Sequence, residues 1–377
     1  MTAERLSTVS VKGLRGLPGV DFALQPMTAL IGPRGVGKSR LLAAIAWLLT
    51  GQPDLSGESF SGEPSVVRAS GLAVRAMLVD AGGSSGREIE RRPEGSAPED
   101  PPRTTFLAAR DRLPPFPEDA PIGWSDAAQA EQMVETIAER RLAGAEGEIL
   151  VIEEPELMLT PHQQRHLYEL LRRFAEKNQV VYSTRSPAML DAAHHDEIVR
   201  LDRHADGVSV LRAAQQVLTD EQRVRLAAEF DHERNEMFFA TAVVLVEGNT
   251  ERLALPLIFR RLGYDPDALG ISIVEVGGKG NLVLIARVLA ELRIPHLIVF
   301  DSDRGRPGQN ENDFIRSHAG KAPVIELDPD FEGVAGLRSH EDKVFNAWRR
   351  FSDIDEKRIP GEFREIAETA VRLAAGG

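Results

Sequence analysis

The stretch from Met27 to Leu49 constrains this chain more than any other. Met27-Thr28-Ala29-Leu30-Ile31 is a short apolar run suited to a buried strand. It leads directly into Gly32-Pro33-Arg34-Gly35-Val36-Gly37-Lys38-Ser39, and residues 40–49 then carry helical periodicity. A G-x-x-x-x-G-K-S run between a strand and a helix is the Walker A pattern in the context that it requires. Gly32, Gly35 and Gly37 let backbone N–H groups wrap phosphates, Lys38 reaches the β and γ phosphates, and Ser39 can ligate Mg²⁺. ATP with a divalent ion is the cofactor this loop implies.

A second constellation lies in the other half. Val243-Val244-Leu245-Val246 reads as a buried parallel strand closed by Glu247-Gly248, which puts Glu247 at its carboxyl edge and Glu251 in the first turn of the next helix. Leu297-Ile298-Val299-Phe300 forms another such strand, ending in Asp301-Ser302-Asp303. Chemistry in open α/β sheets gathers at that edge. Carboxylates packed this closely raise each other's pKa unless a hard cation neutralises them, so a Mg²⁺ or Mn²⁺ site is the economical explanation. For any single acidic pair, a solvated strand end is the plain alternative.

The pattern Val246-Glu247-Gly248-Asn249-Thr250-Glu251, then Gly277-Gly278-Lys279-Gly280-Asn281, then the strand ending in Asp301-Ser302-Asp303, resembles a Toprim domain. Joined to the ATPase motifs, it resembles the OLD-family ATP-dependent nucleases, relatives of the Gabija nuclease. The resemblance implies an α/β chain with an ABC-type P-loop ATPase domain at 1–215, a linking helix at 216–235 and a Toprim nuclease domain with a Rossmann-like parallel sheet at 236–377. It is a short form, with no room for the helical dimerisation insert of larger relatives, although at least a dimer is still expected.

Several assignments follow from the resemblance. Glu148 to Ile152 is a buried strand closed by Glu153-Glu154-Pro155-Glu156. This matches Walker B, with Glu153 in place of the usual Asp and Glu154 as the base that polarises water. Val180 to Pro187 matches the strand and switch loop, but Arg185 stands where the family commonly has histidine. A permanent cation binds phosphate and does not shuttle a proton; Arg185 is either a nucleotide contact or a surface ion-pairing arginine. A late acidic residue and a lysine complete the family's metal site, and Glu332 and Lys343 match by position, with Asp330 and Asp328 as substitutes.

Elsewhere the reading is coarser. Residues 7–11 and 19–24 alternate as strands, and 71–80 with 87–92 reads as a hairpin. Residues 93–103 read as a mobile loop, and 104–109 as a strand. Residues 125–142 carry helical periodicity where an ABC signature helix would start, but the glycines of that signature are missing, so efficient head-to-head hydrolysis is not expected. Residues 198–203 and 208–212 form a closing hairpin around Asp206-Gly207, 219–234 a linking helix, and Asn310 to Asn312 a polar loop. The Gly277 to Asn281 loop either brings amides and Lys279 to a phosphodiester or is a capped strand-helix turn.

Composition narrows the classes. The 377 residues suffice for two cores, and 42% hydrophobic with 27% charged residues is ordinary for a globular protein. There is no cysteine, which excludes disulfides and Cys-ligated zinc and fits a reducing cytoplasm. No stretch suits a membrane span, and a formal charge of −13 argues against indiscriminate nucleic-acid coating. The three tyrosines, Tyr168, Tyr182 and Tyr264, are not placed for transesterification, and zinc-bearing primases and mediators need cysteine.

Two functions remain. In the first, Glu247, Glu251, Asp301, Asp303 and Glu332 hold two cations across a phosphodiester, Glu247 acts as general base, Lys343 neutralises the phosphorus centre, and ATP regulates DNA nicking or cleavage. Phage defence or DNA repair, and a helicase or other defence partner, are what the resemblance implies. Arg304, Arg306, Arg338, Arg349 and Arg350 are candidates for the DNA backbone path. In the second, ATP closes a DNA-binding clamp or scaffold whose metal site is inactive.

Overall fold

The structure is a computed structural model, and it describes residues 4–14, 17–52, 72–80, 86–93, 95, 97–108, 137, 139, 144, 146–204, 207–212, 217–229, 232–303, 309–337 and 342–376. The chain divides into two compact units, Met1–Arg212 and Ala213–Gly377.

The first unit contains two sheets. An antiparallel sheet has the order β2-β1-β4-β5, from β1 (Glu4–Leu14), β2 (Leu17–Ala23), β4 (Ala73–Asp80) and β5 (Gly86–Arg91). The second has the order β10-β9-β3-β8-β7-β6, built from β3 (Met27–Ile31), β6 (Thr104–Leu107), β7 (Ile149–Glu153), β8 (Gln179–Ser183), β9 (Ile198–His204) and β10 (Gly207–Arg212). All its neighbours pair parallel except β9 and β10, the expected closing hairpin. Helix α1 (Lys38–Thr50) lies in the core between the sheets, with Leu41, Leu42, Ala43, Ala44 and Ile45 fully buried. Such all-round burial accounts for its nearly uninterrupted apolar run. Helix α2 (Pro161–Ala175) starts at a capping box of Thr160 and Gln163 and covers β8 with Leu167 and Leu171. Among the described residues no regular element lies between β5 and β6, and the helix expected at 125–142 lies almost entirely outside the described residues.

The phosphate loop needs its first glycine for a steric reason. Gly32 has φ 134°, and a Cβ there would stand 2.2 Å from the Leu201 carbonyl oxygen of β9. That oxygen belongs to a paired strand and cannot retreat. Gly32→Ala is expected to cost the first unit about 2–4 kcal/mol, read as a lower unfolding midpoint; an unchanged midpoint would show that β9 yields.

In the second unit, helix α3 (Asp220–Glu229) is shorter than the linking helix read from the sequence, and a 3₁₀ turn (Arg234–Phe239) follows. The sheet is fully parallel, in the order β12-β11-β13-β14, from β11 (Ala242–Val246), β12 (Ile271–Glu275), β13 (His296–Asp301) and β14 (Val324–Leu327). Helices α4 (Asn249–Arg261), α5 (Pro266–Leu269), α6 (Lys279–Glu291) and α7 (Gln309–His318) connect the strands. The polar loop expected at Asn310 to Asn312 is thus the start of a helix. Its sequence hid this because, of residues 311–318, only Asn312 and Ile315 are buried.

Beyond the sheet, α8 (Phe331–Ala335), α9 (Lys343–Ser352) and α10 (Gly361–Ala374) close one face. The odd-even pattern of the strands serves both faces. Val244, Val246, Leu297 and Val299 join α4, α9 and α10 in one core, while α6 contacts β11 and β13 from the other side. Phe331, Phe351 and Phe363 meet edge-on or tilted, with centroids 4.9 to 6.2 Å apart, and pin α8, α9 and α10 together.

Candidate functional site

Each unit gathers polar side chains at the carboxyl edge of its parallel sheet. In the first unit, Lys38 is only 5% exposed, and its Nζ donates to the carbonyls of Gly32 at 2.6 Å and Pro33 at 3.1 Å. Burial lowers its pKa and the neighbouring Arg185 cation adds to this, while Glu154 and Glu156 act the other way. Gly35 and Gly37 hold φ of 75° and 118°, left-handed conformations that aim loop amides inward. The Gly35 carbonyl accepts from Arg203 at the end of β9. Ser39 follows Lys38 in the first turn of α1.

Glu153 ends β7 beside this loop, and Glu154 follows at φ 42°. The Glu154 amide donates to the Ser183 carbonyl at 3.0 Å, and its Oε1 lies 2.7 Å from Arg185 Nη2. Arg185 is therefore an ion-pairing arginine whose partner is the expected base, and its charge is felt at Lys38. Of the two alternatives for Arg185, the ion pair is the one present in the structure. Glu156 was not singled out by the sequence. Its buried Oε1 accepts from Thr184 Oγ1 and the Arg185 amide, each at 2.8 Å, which fastens the switch loop to the end of β7. Burial raises its pKa.

In the second unit, Glu247 directly follows β11 and its Oε1 accepts from the Asp301 amide at 2.7 Å. Asp301 ends β13, and its Oδ1 accepts from the Phe331 amide at 2.9 Å. Glu251, in the first turn of α4, is 7% exposed. Asp303, at φ 48°, pairs with Lys279 Nζ at 2.7 Å, and the same ammonium lies 3.8 Å from Glu247. Lys279 opens α6 behind Gly277 and Gly278, whose φ values of 74° and 113° make the turn. The loop is thus a strand-helix turn, without a side-chain cap at Gly278, and it places Lys279 at the acidic edge. On the far side, Glu332 is 4% exposed, close enough to raise the Glu251 pKa, and Lys343 Nζ reaches its Oε1 at 3.1 Å.

The two substitutes for Glu332 have other work. Asp330 caps α8 by accepting from the Gly333 amide at 2.7 Å, and Asp328 accepts from Ser302 Oγ at 2.9 Å. Asn312 donates to the Ser302 carbonyl at 2.7 Å and steadies the Asp301 to Asp303 turn. Arg349 and Arg350 are exposed on α9, whereas Arg304, Arg306 and Arg338 lie outside the described residues.

Electrostatics separates this edge from a solvated strand end. Burial, with Glu251 and Glu247 nearby, pushes the Asp301 carboxyl up to about 8, against a backbone hydrogen bond that lowers it. Burial likewise pushes Glu247 to about 7, although the Asp301 amide and Lys279 oppose it. As they stand, no three described His, Asp or Glu side chains are close enough together to hold an ion. The lysines explain this: Lys279 stands between Asp303 and Glu247, and Lys343 takes up Glu332. The donor set is all carboxylate oxygen, which is the chemistry that a hard divalent ion takes.

Residues 238–303 match the family model described as Overcoming lysogenization defect protein-like, TOPRIM domain. Residues 136–191 match that described as AAA domain, putative AbiEii toxin, Type IV TA system. The chain is 33% identical over 245 residues to the OLD nuclease of Thermus scotoductus, across 58% of this chain and 46% of that protein. It is 27% identical over 161 residues to the Old nuclease of Escherichia phage P2, across 41% of this chain and 28% of that protein. The matched regions thus span less than half the length of these relatives. Among solved structures, the C-terminal region of the Xanthomonas campestris pv. campestris OLD protein aligns with a TM-score of 0.29 and 22% identity, over 37% of this chain and 97% of that one. No described helix is long and apolar enough to cross a membrane. The chain joins a P-loop ATPase domain to an OLD-like Toprim domain and is similar in sequence, over part of their length, to the OLD nucleases.

Proposed function

We propose that the chain is an ATP-regulated, divalent-metal-dependent DNA endonuclease that nicks or cleaves DNA, in phage defence or DNA repair. The observation that carries this reading is the placement of Glu247, Glu251, Asp301 and Asp303 at one sheet edge with Glu332 near Glu251, and with Lys279 and Lys343 among their partners. Those five carboxylates would hold Mg²⁺ or Mn²⁺. When bound, such ions supply Lewis acidity at the phosphorus centre and at the leaving oxygen.

The chain's own groups do the rest. Glu247, whose Oε1 accepts from the Asp301 amide, takes the proton of the attacking water. Lys343, with its side chain 44% exposed, can turn from Glu332 to a phosphate oxygen and offset the charge that develops there. Lys279, released from Asp303, remains at the N-terminus of α6, where backbone amides also face anions. In the first unit, Lys38, Ser39 and the glycine loop would hold ATP, Glu153 would support its metal, and Arg185 would exchange Glu154 for the γ phosphate. Hydrolysis is slow for as long as Arg185 neutralises Glu154, which suits ATP as a regulator.

The deciding test is nicking of supercoiled plasmid in Mg²⁺ or Mn²⁺, with and without ATP, by wild type, Asp303→Ala and Lys38→Ala. Nicking by wild type and its loss in Asp303→Ala is the expected result, and Lys38→Ala then reports what ATP does. A plasmid left intact by wild type under every condition transfers the protein to the ATP-switched clamp reading.

A further inference from the structure

The outer face of α9 has an unusual composition for a chain of net charge −13. Phe345 and Trp348 are 56% and 51% exposed, and their rings stack with centroids 6.1 Å apart and planes 26° from parallel. Exposed aromatics of this size are seldom left in water without a partner. Arg349 follows on the same face at helical spacing, and Arg350 lies on the same side as Lys343, two turns earlier. Arg349 and Arg350 form no ion pair with a described residue, and neither does Arg358, which faces them across a groove of about 490 Å³. The two carboxylates of that groove are engaged elsewhere: Asp353 lies 3.4 Å from Arg261, and Asp355 accepts from the Lys357 amide at 2.9 Å.

The position of this face matters as much as its chemistry. Lys343, the first residue of α9, is the lysine on Glu332; it lies with Arg350 on the flank of the helix away from Trp348, and the buried side of α9 packs on α4, which carries Glu251. Phe351 of α9 touches Phe331, whose amide holds Asp301. Helix α9 therefore starts beside the carboxylate edge, and its exposed surface runs outward from there. From Lys343 to Arg350 the helix rises about 10 Å, so the two cations stand two turns apart along α9.

We infer that the outer face of α9 is a single-strand platform, on which Phe345 and Trp348 stack unpaired bases while Arg349 and Arg350 hold the backbone beside the acidic edge. The choice of DNA as occupant rests on the nuclease reading above. Duplex DNA offers no free base faces to the rings, whereas an unpaired strand offers one at every nucleotide. The substrate class is thus DNA with a single-stranded stretch adjoining the cleaved phosphodiester, such as a flap, a gap or an opened duplex.

The test is strand binding by the full chain in EDTA, where affinity is read without cleavage by the anisotropy of a labelled DNA. The probes are an oligothymidylate, an abasic strand of equal length and a blunt duplex of equal length. Wild type is expected to prefer oligothymidylate to the abasic strand by about tenfold or more, and Phe345→Leu with Trp348→Leu to remove that preference. Affinity for the abasic strand should not change, which also shows that the variant is folded, and Trp348→Phe should keep most of the preference. Equal binding of the two strands by wild type overturns the inference, as does an unaltered preference in the double variant. A double variant that loses mass by light scattering and keeps its strand preference would assign the face to contact between copies of the chain. Wild type that prefers bases yet never nicks plasmid removes the nuclease reading and leaves the platform; wild type that nicks without base preference does the reverse.

Discussion

Phe363→Ala is expected to destabilise the second unit by about 3–5 kcal/mol, the range for truncating a fully buried aromatic ring. Phe363 has no exposed surface, and it stacks against both Phe331 and Phe351 at centroid separations of 4.9 and 5.5 Å. The effect should reach the acidic edge as well, because the backbone amide of Phe331 is the group that holds Asp301 Oδ1. Thermal unfolding of the full chain checks the first part: the transition of the second unit should move down while that of the first stays in place. Cleavage at a temperature where the variant remains folded checks the second. A variant with normal stability would show that α10 is not what fixes α8.

Divalent ions are expected to bind at least tenfold more tightly at about pH 8 than at about pH 6. The carboxyls of Glu247 and Asp301 sit at about 7 and 8 in the folded chain, above their ordinary values of 4.5 and 3.8. A raised carboxyl pKa means that the fold favours the protonated form. Without metal, the stability of the second unit therefore falls as pH rises from about 4 through about 8. An ion binds the ionised form and reverses that loss, so its stabilising effect grows over the same window. Melting curves with and without Mg²⁺ or Mn²⁺ at several pH values test this. An upward shift independent of pH would mean that the ion binds elsewhere.

The pattern of what the sequence disclosed has physical causes. The Walker A loop is legible because its chemistry is local: strand, glycines, lysine and helix lie within 24 residues from Met27 to Thr50. Glu247, Glu251, Asp301 and Asp303 are legible because a buried parallel strand is a continuous apolar run, and its polar end is visible against it. Lys279 was visible as a residue but not as the partner of Asp303, since that contact joins α6 to the end of β13 and depends on strand order. Glu156 was hidden among three glutamates until the β8 loop was seen to lie on it. The cluster of Phe331, Phe351 and Phe363 has no periodic spacing, so only the fold connects it with Asp301. At α7 the charged surface outnumbered the apolar positions that would have marked a helix.

One consequence of the phenylalanine cluster concerns the time at which the acidic edge becomes ordered. Glu247, Glu251, Asp301 and Asp303 all precede Phe363, which is about sixty positions downstream of Asp301. At the usual speed of synthesis, the four carboxylates have been made about 3–12 s before that ring. During that interval Phe331 has no partner on α10, and Asp301 lacks its anchored neighbour. On the proposed reading, a growing chain is harmless to nearby DNA until the helix that carries Phe363 has folded, a safeguard that is written into the order of its residues and needs no inhibitor.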